Sequence, residues 1–437
     1  MSPIQTSIPT SASSLGRLTK NLSSPALFAA GLVATFAGQL VLSKTTSANE
    51  FGLYVLAYNA AAVLSGLGAA GFDLSAVRFA SLFKSKEEWC LLAAFKSLAM
   101  RWTLGMSVFV ASSFAVFFGW NTGSPWSLIL VGAVVTMSWS WSRVLAGYLR
   151  GLGRLAPALT ADRVSRDFAV LLLACFALAT DGRISILTAL LTLLLGTVAG
   201  CCIGLLFGGA VPATAAQRSQ ASEAELAANT RVWVQLSLGL MAYNFIELLS
   251  SRFDVFALSL FSDPAIVGAF GLAILLINLV TIPASFISLL IMPQVAVAYH
   301  RQDQGRLRQI YLSASIAAVC AGFGVIGIMW LLHPYGLEYL PLSFVQNIAF
   351  TPLLMAVVAR AICLVGTFPP VLLMMSGHHK ALIVSHVASI MARACVFLLF
   401  AKFVDANFAV AAFVIGTALV TVLNLLQIRK ILWPTSF

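Results

Sequence analysis

Long apolar runs separated by short polar turns make up almost the whole chain. Most of these runs are apolar on every side, which is typical of helices buried in lipid rather than of surface helices with one apolar stripe. Because a helix needs roughly 20 apolar residues to cross a bilayer, the runs predict about twelve membrane spans. Their continuity disfavours a membrane β-barrel, whose strands alternate in polarity. The predicted spans are 26–43, 51–72, 89–118, 126–148, 157–179, 184–208, 232–261, 266–298, 310–332, 344–375, 381–401 and 408–428.

The two halves of the chain share one pattern of apolar and polar positions. One apolar run opens just before Gly52 and closes at Ala80, and a second opens just before Gly268 and closes at Ala296; each is followed by a charged turn. The runs lie 216 positions apart (268 − 52) and align without a gap. Since this offset is close to half of the 437 residues, the chain is predicted to be an internal duplication.

The repeat also divides the chain into domains. Residues 1–24 are rich in Ser, Thr and Pro and are predicted to be a disordered cytoplasmic tail. We predict an N-terminal lobe of six helices over 25–209, a polar cytoplasmic linker over 210–231, and a C-terminal lobe of six helices over 232–437. An even number of spans gives both lobes the same orientation, so a pseudo-two-fold axis along the membrane normal should relate them.

Composition agrees with an integral membrane protein. Hydrophobic residues make up 60% and charged residues 9% of the chain, whereas about a quarter of a soluble domain is charged. The net charge of +11 does not indicate nucleic-acid binding, because the basic residues are concentrated in turns on one side of the predicted membrane. This asymmetry follows the positive-inside rule and places both termini in the cytoplasm. The opposite side carries only Lys44, Arg183 and Lys402, whereas the cytoplasmic set is Arg17, Lys20, Arg78, Lys84, Lys86, Arg143, Arg150, Arg154, Arg163, Arg166, Arg218, Arg231, Arg301, Arg306, Arg308, Lys380, Arg429 and Lys430.

Enzymatic and metal chemistry find little support. The seven cysteines lie inside apolar runs without metal-ligand spacing, and the adjacent His378 and His379 cannot both face one ion on a regular helix. No Gly-rich nucleotide loop is present. Since the connections are short and loops usually carry catalytic residues, we predict no enzymatic activity, no cofactor and no metal.

Ionisable side chains inside the predicted spans are the candidate functional residues, because a charge within a membrane is costly. Arg360 in the tenth span and Arg393 in the eleventh are predicted to contact an anionic headgroup, since guanidinium binds phosphate oxygens bidentately and stays charged. His386 lies seven residues before Arg393 and shares its helix face. Arg252 in the seventh span is a further substrate-binding candidate.

The seventh span also carries the candidates for ion coupling. Asn244, Glu247 and Asp254 recur at helical spacing on one face, and are predicted to hold a cation or a proton. The alternative is structural: Arg252 or Arg393 forms an interhelical ion pair with Glu247 or Asp254. Both interpretations stay open at this point.

Several short motifs resemble those of the polysaccharide-synthesis flippases, a family of the multidrug/oligosaccharidyl-lipid/polysaccharide exporter (MOP) superfamily. The resemblance implies a MATE-like fold of two six-helix lobes around a central cavity, working by alternating access in the inner membrane of a bacterium. Where such proteins often carry Asn in the eleventh helix this chain has Arg393, so no ion site is transferred. The motifs are Glu50-Phe51-Gly52-Leu53-Tyr54, Val77-Arg78-Phe79, Leu149-Arg150-Gly151-Leu152-Gly153-Arg154, Pro293-Gln294-Val295-Ala296 and Ser376-Gly377-His378-His379-Lys380.

The function that this resemblance implies is flipping of an undecaprenyl-pyrophosphate-linked oligosaccharide from the cytoplasmic to the outer leaflet. The expected partners are this lipid-linked anionic oligosaccharide, membrane lipid, and the polysaccharide polymerase or export machinery. The alternative is a cation-coupled multidrug antiporter on the same fold. Such a protein should favour an acidic, aromatic cavity, and the intramembrane arginines argue against it.

Overall fold

The computed structural model describes residues 14–180, 182–208, 223–300, 303–336, 342–375 and 379–432, and these ranges contain helices and no strands. In the first half the helices are α1 (Ser14–Thr45), α2 (Ala48–Gly68), α3 (Phe72–Ser85), α4 (Trp89–Thr122), α5 (Trp126–Gly151), α6 (Leu155–Leu159), a π-turn (Thr160–Val164), α7 (Ser165–Ala179) and α8 (Ile186–Gly208). In the second half they are α9 (Glu223–Ser259), α10 (Pro264–Leu279), α11 (Ile282–His300), α12 (Gln304–Gly336), α13 (Leu342–Asn347), α14 (Phe350–Ile362), α15 (Pro369–Met375), α16 (His379–Leu399) and α17 (Ala406–Leu432), with 3₁₀ turns at Cys363–Thr367 and Ala401–Phe403.

The predicted all-α, multi-pass architecture is confirmed. Ten helices in the described ranges are long and apolar enough to cross a membrane, and the pair α10–α11, bent by 51°, makes an eleventh candidate. Pro283 stands in the first turn of α11, where its missing N–H costs no helical hydrogen bond. The predicted fifth span is α6, the π-turn and α7 in succession, and α7 alone has only 15 residues. Each predicted span therefore coincides with a helix or a broken helix.

The internal repeat is visible as one constant offset between helices. Adding 216 to the bounds of α4 gives 305–338 and matches α12 (304–336), and adding it to the bounds of α5 gives 342–367, the range of α13, α14 and the following 3₁₀ turn. The equivalent helices α2 and α10 cross at the equivalent glycines. A Cβ on Gly52 would lie 1.6 Å from the Pro264 carbonyl oxygen, and one on Gly268 would lie 3.1 Å from the Cα of Gly52. Glycine permits this close approach.

Helix boundaries differ from the prediction at both polar segments. Helix α1 begins at Ser14, so part of the predicted tail 1–24 is helical, and residues 1–13 lie outside the described residues. Helix α9 begins at Glu223, inside the predicted linker 210–231, and residues 209–222 lie outside the described residues, as do 376–378 of the last motif. Both helices continue into long apolar segments, and extension of a formed helix costs little per residue.

Helix α9 joins the two lobes. Near its start, Trp233 is buried against the rings of Phe79, Phe83 and Phe95 in the N-terminal lobe. One turn later Ser237 shares a 2.7 Å hydrogen bond with Ser75 of α3. Its later part packs on α16 and α17 of the C-terminal lobe. The helix thus contacts both lobes, and in its later part Arg252 also bonds to Asn59 of the N-terminal lobe.

Candidate functional site

A cavity of about 390 Å³ lies between the lobes and is lined by residues of both. Its N-terminal wall comes from α1, α2, α5, the π-turn and α7, and its C-terminal wall from α9, α10 and α17. The N-terminal wall contributes Leu32, Thr35, Gln39, Val55, Tyr58, Asn59, Ala62, Trp139, Arg143, Asp162, Arg163, Arg166 and Asp167, and the C-terminal wall contributes Leu248, Ser251, Arg252, Asp254, Val255, Phe270, Gly271, Ile274, Leu275, Asn278 and Phe413.

The two walls differ in chemistry. Most charged groups belong to the N-terminal wall, where Arg166 stacks on the Trp139 ring with its guanidinium carbon 3.9 Å from the ring centroid. The C-terminal wall is mainly aliphatic and aromatic, with side chains such as Phe270, Ile274 and Phe413. The cavity therefore combines a wall rich in charged groups with a wall that is mainly apolar but also carries Arg252 and Asp254. A ligand that fits both would be amphiphilic.

Four arginine–aspartate pairs neutralise much of the charge around the cavity. Arg166 and Asp167 are bonded at 2.7 Å, and Thr35 also donates to Asp167 at 2.5 Å. Arg393 and Asp254 are bonded at 2.6 Å. Arg143 and Asp73 are 3.4 Å apart, and Arg150 pairs with Asp162. Each aspartate of the lining thus has its own guanidinium partner.

Two arginines of the lining, Arg163 and Arg252, have no acidic partner among the described residues. Arg163 lies over the Phe28 ring at 5.4 Å from its centroid. Arg252 donates to the Asn59 side chain across the lobe interface, and its buried Nε has no partner in the described part of the chain. Among the lining residues and their ion-pair partners, these two groups are an excess of two positive charges.

Two of the residues singled out in the sequence line this cavity. Arg252 does so as an unpaired cation, whereas Asp254 is paired with Arg393 and is only 1% exposed. The ion-coupling role predicted for Asp254 stays a prediction, since a paired carboxylate serves structure as well as it serves coupling.

Arg393 does not line the cavity. The side chain is 2% exposed, and its three nitrogens donate to Asp254, to the Ser250 carbonyl and hydroxyl, and to the Ser389 carbonyl. This is the structural ion pair that the sequence left open as the alternative. Each nitrogen of the guanidinium donates to a buried partner, and the side chain is outside the cavity lining, so the predicted contact of Arg393 with the headgroup is not made at this cavity.

Arg360 and His386 are also absent from the lining. Both are partly buried in the C-terminal lobe, where Arg360 Nε and His386 Nδ1 have no hydrogen-bond partner in the described ranges. Their predicted contact with the substrate headgroup is not made at this cavity. Hydrophobicity alone placed them inside a span, and the packing of the lobe decides which way they face.

Asn244 and Glu247 lie next to the cavity. Asn244 Nδ2 is 3.4 Å from Asp73 Oδ2, the same oxygen that Arg143 approaches, and Glu247 is hydrogen-bonded to Tyr243. The group links α9 to α3 and α5 across the lobe interface. Coupling of an ion by these residues remains a prediction. No cluster of metal-ligand type occurs among the described residues.

Sequence reasoning missed Arg143, Arg163 and Arg166, which it counted among the cytoplasmic cations. A signal was present: Arg163 and Arg166 lie six and nine residues inside the predicted fifth span, too deep for an interfacial turn. Their alternation with Asp162 and Asp167 also indicates a buried charged network.

Comparison with known proteins identifies the fold. No protein-family profile matches the chain, and no curated protein sequence matches. Solved structures do match. An inward-facing multidrug resistance MATE family transporter of the MOP superfamily has a TM-score of 0.67 at 15% identity, covering 93% of this chain and 96% of that one. An outward-facing transporter of the same description scores 0.58 at 15% identity, covering 94% and 97%.

A third match is a MOP superfamily transporter from Pyrococcus furiosus, described as having a binding pocket of reverse polarity, with a TM-score of 0.58 at 15% identity over 94% of both chains. The fold of this chain is therefore that of the MATE transporters, two lobes included. Identities this low show the fold and leave the substrate open.

Proposed function

We propose that the protein is an alternating-access flippase that moves a lipid-linked anionic oligosaccharide, of the undecaprenyl-pyrophosphate type, from the cytoplasmic to the outer leaflet. The proposal includes a location in the bacterial inner membrane with both termini cytoplasmic. It also includes partners among the polysaccharide polymerase and export machinery.

The observation that carries the proposal is the pair of unneutralised arginines in the cavity. Arg163 on the N-terminal wall and Arg252 on the C-terminal wall leave two positive charges without acidic partners in the described ranges. A diphosphate supplies compensating negative charge, and guanidinium groups bind phosphate oxygens with high geometric specificity. An organic cation would meet repulsion at the same two groups.

The apolar C-terminal wall supports an amphiphilic substrate. Phe270, Ile274 and Phe413 line the same cavity as the arginines, so the first isoprenoid units beside a diphosphate have an apolar surface to contact. The rest of the lipid tail stays in the bilayer. An inside-negative membrane potential favours outward movement of an anion by about 2.3 kcal/mol per charge per 100 mV, and no nucleotide is needed.

Arg252 also suggests how the substrate acts on the lobes. Its bond to Asn59 crosses the lobe interface, so a phosphate that binds Arg252 competes with an interlobe contact. A ligand shifts a conformational equilibrium only by binding the two states differently. Competition for Arg252 is one source of that difference.

The test is a deletion of the gene in its own host, complemented by variants. We expect the deletion to abolish surface glycan and to accumulate the lipid-linked precursor in the cytoplasmic leaflet. Arg163→Gln and Arg252→Gln should fail to restore the glycan, whereas Arg78→Gln, at an exposed arginine outside the cavity, should restore it. Restoration by both cavity variants would contradict the proposal.

A cation-coupled multidrug antiporter is the second candidate. The aromatic pair Tyr58 and Trp139, whose ring centroids are 5.3 Å apart at the cavity, is the observation in its favour, because aromatic faces attract organic cations. A deletion strain with normal glycan but increased drug accumulation would favour this candidate over the flippase.

A further inference from the structure

Arg163, the arginine of the N-terminal wall without an acidic partner in the described ranges, lies in an unusual backbone segment. Residues Thr160–Val164 form a π-turn, in which the N–H of Ser165 bonds to the carbonyl of Thr160 five residues earlier. Such turns are rare and are frequent at functional sites. Here the turn contains Asp162 and Arg163, and Arg166 follows immediately in α7.

A serine of α5 forms a hydrogen bond with the backbone of the π-turn. Ser142 donates a 2.5 Å hydrogen bond to the carbonyl oxygen of Ala161, and the Ser142 side chain is fully buried. The bond fixes the position of this carbonyl relative to α5, because buried backbone groups are kept in hydrogen bonds. Ser142 itself does not line the cavity.

Two glycines of α8 let the turn approach that helix closely. A Cβ on Gly200 would lie 2.3 Å from the Ala161 oxygen, and one on Gly196 would lie 2.6 Å from the Cα of Arg166. Real Cβ contacts are essentially never shorter than 3.0 Å, and the opposing atoms belong to the backbone. Only glycine fits at these positions without moving the segment that bears the arginines.

The opposite side of the turn is also confined. A Cβ on Gly31 of α1 would lie 3.3 Å from Cγ and Cδ of Arg163, so the arginine stem lies in a narrow channel. An alanine at Gly200 requires the turn and α8 to separate by at least 0.7 Å (3.0 − 2.3) to reach the shortest acceptable contact. We expect this separation to change where Arg163 and Arg166 present their guanidinium groups.

We infer that Gly200 and Gly196 of α8, together with Ser142 of α5, are positioning residues that set the anion-binding geometry of the cavity through the π-turn. None of the three touches the cavity. The inference rests on the proposed function, because it assumes that the placement of Arg163 and Arg166 determines anion affinity. Misplacement of a binding group by about 1 Å is enough to lower binding or turnover severely.

The first test compares two alanine variants of the same helix. Purified full-length protein is titrated with inorganic pyrophosphate as the anionic probe. We expect Gly200→Ala to weaken binding by about tenfold or more. Gly208→Ala should stay within about twofold, because the nearest atom to its Cβ is the flexible Lys96 ammonium at 3.8 Å. Equal affinities of the two variants would overturn the inference.

A second variant keeps the test valid if Gly200→Ala does not fold. Ser142→Ala removes the bond to Ala161 without adding volume. Its control is Ser138→Ala, one turn earlier on α5, whose hydroxyl bonds to Thr197 instead of the π-turn. We expect Ser142→Ala alone to weaken pyrophosphate binding, and unchanged affinity in this variant would contradict its positioning role.

A double-mutant cycle separates positioning from general destabilisation. If Gly200 acts through Arg163, then Gly200→Ala should have little further effect on affinity once Arg163→Gln is present. The same fold-loss in both backgrounds would overturn the claim that Gly200 acts through Arg163. Wild-type protein that does not bind pyrophosphate would overturn the proposed function as well. Binding that Arg163→Gln abolishes but Gly200→Ala and Ser142→Ala leave intact would overturn the positioning inference alone.

Discussion

The helix α7 in the N-terminal lobe and its repeat equivalent α16 in the C-terminal lobe have opposite chemistry at the same structural position. Arg166 and Asp167 lie on the cavity, whereas the residues 216 positions later are Leu382 and Ile383, and Leu382 is fully buried in apolar packing. Helix α16 carries its cation elsewhere, at Arg393, paired with Asp254. The two equivalent helices thus differ: α7 contributes charged side chains to the cavity wall, whereas α16 contributes an arginine to a buried ion pair.

The difference shows how a membrane protein treats a buried charge in two ways. Each nitrogen of the Arg393 guanidinium donates to a partner inside the C-terminal lobe, so its charge serves structure. Arg163 and Arg252 lack acidic partners among the described residues, so they are costly without a ligand. Unpaired intramembrane charge is the signature of a functional site.

Removal of one member of the buried Arg393–Asp254 ion pair should have the largest effect on stability. Arg393→Met leaves Asp254 as a buried, unpaired carboxylate, which typically costs about 3–5 kcal/mol of stability. We expect a large fall in the thermal unfolding midpoint in detergent. The double variant Arg393→Met with Asp254→Leu should recover most of it, since apolar replacement of both partners is often neutral or stabilising. A double variant as unstable as the single one would contradict this account of the pair.

The next largest loss of stability is expected at the glycine contact between the equivalent helices α2 and α10. Gly52→Ala places a Cβ 1.6 Å from the Pro264 carbonyl, whereas Gly268→Ala meets its nearest atoms at 3.0 and 3.1 Å. Overpacking of this kind costs about 1–3 kcal/mol, and we expect most of it for Gly52→Ala and little for Gly268→Ala. Unfolding midpoints of the two variants measure the difference, and equal losses would show that the crossing is symmetric.

Substitution of Arg252, the cavity arginine of the C-terminal wall, should affect stability in the opposite way to substitution of Arg393. Arg252→Gln removes a charge without an acidic partner in the described ranges while keeping a donor for Asn59. We expect stability to be unchanged or raised by up to about 1 kcal/mol, while transport is lost, because functional sites trade stability for activity. Parallel measurement of melting and of glycan restoration checks this. A strong loss of stability would assign Arg252 to structure.

The smallest loss of stability among these variants is expected where α9 contacts the N-terminal lobe, and no loss of transport is expected there. Ser237→Ala removes the 2.7 Å bond to Ser75, worth about 0.5–1.5 kcal/mol. Ser75→Ala should cost a similar amount, and the double variant should cost no more than one of them, because the two hydroxyls act only on each other. Additive losses would indicate other partners for these hydroxyls.

The sequence predicted the fold well because membrane burial imposes strong local rules. Each span from 26–43 to 408–428 coincides with a helix or broken helix, since length and polarity alone decide what crosses a bilayer. The offset between Gly52 and Gly268 also marked the crossing of α2 and α10, because a repeat at half-chain scale keeps equivalent positions equivalent. Polar helix ends at Ser14 and Glu223 were misjudged, since no lipid requirement acts on them.

Sequence alone thus determined that the chain is a duplicated bundle of membrane helices with charges buried inside it, and it identified Arg252 and Asp254 as members of that set. Only the tertiary structure decided which charges pair and which face a cavity. Arg393 and Asp254 are 139 residues apart, and whether they meet depends on the packing of α9 against α16. Helical periodicity states which residues share a face, but the neighbour of that face is chosen by the assembly of the whole bundle.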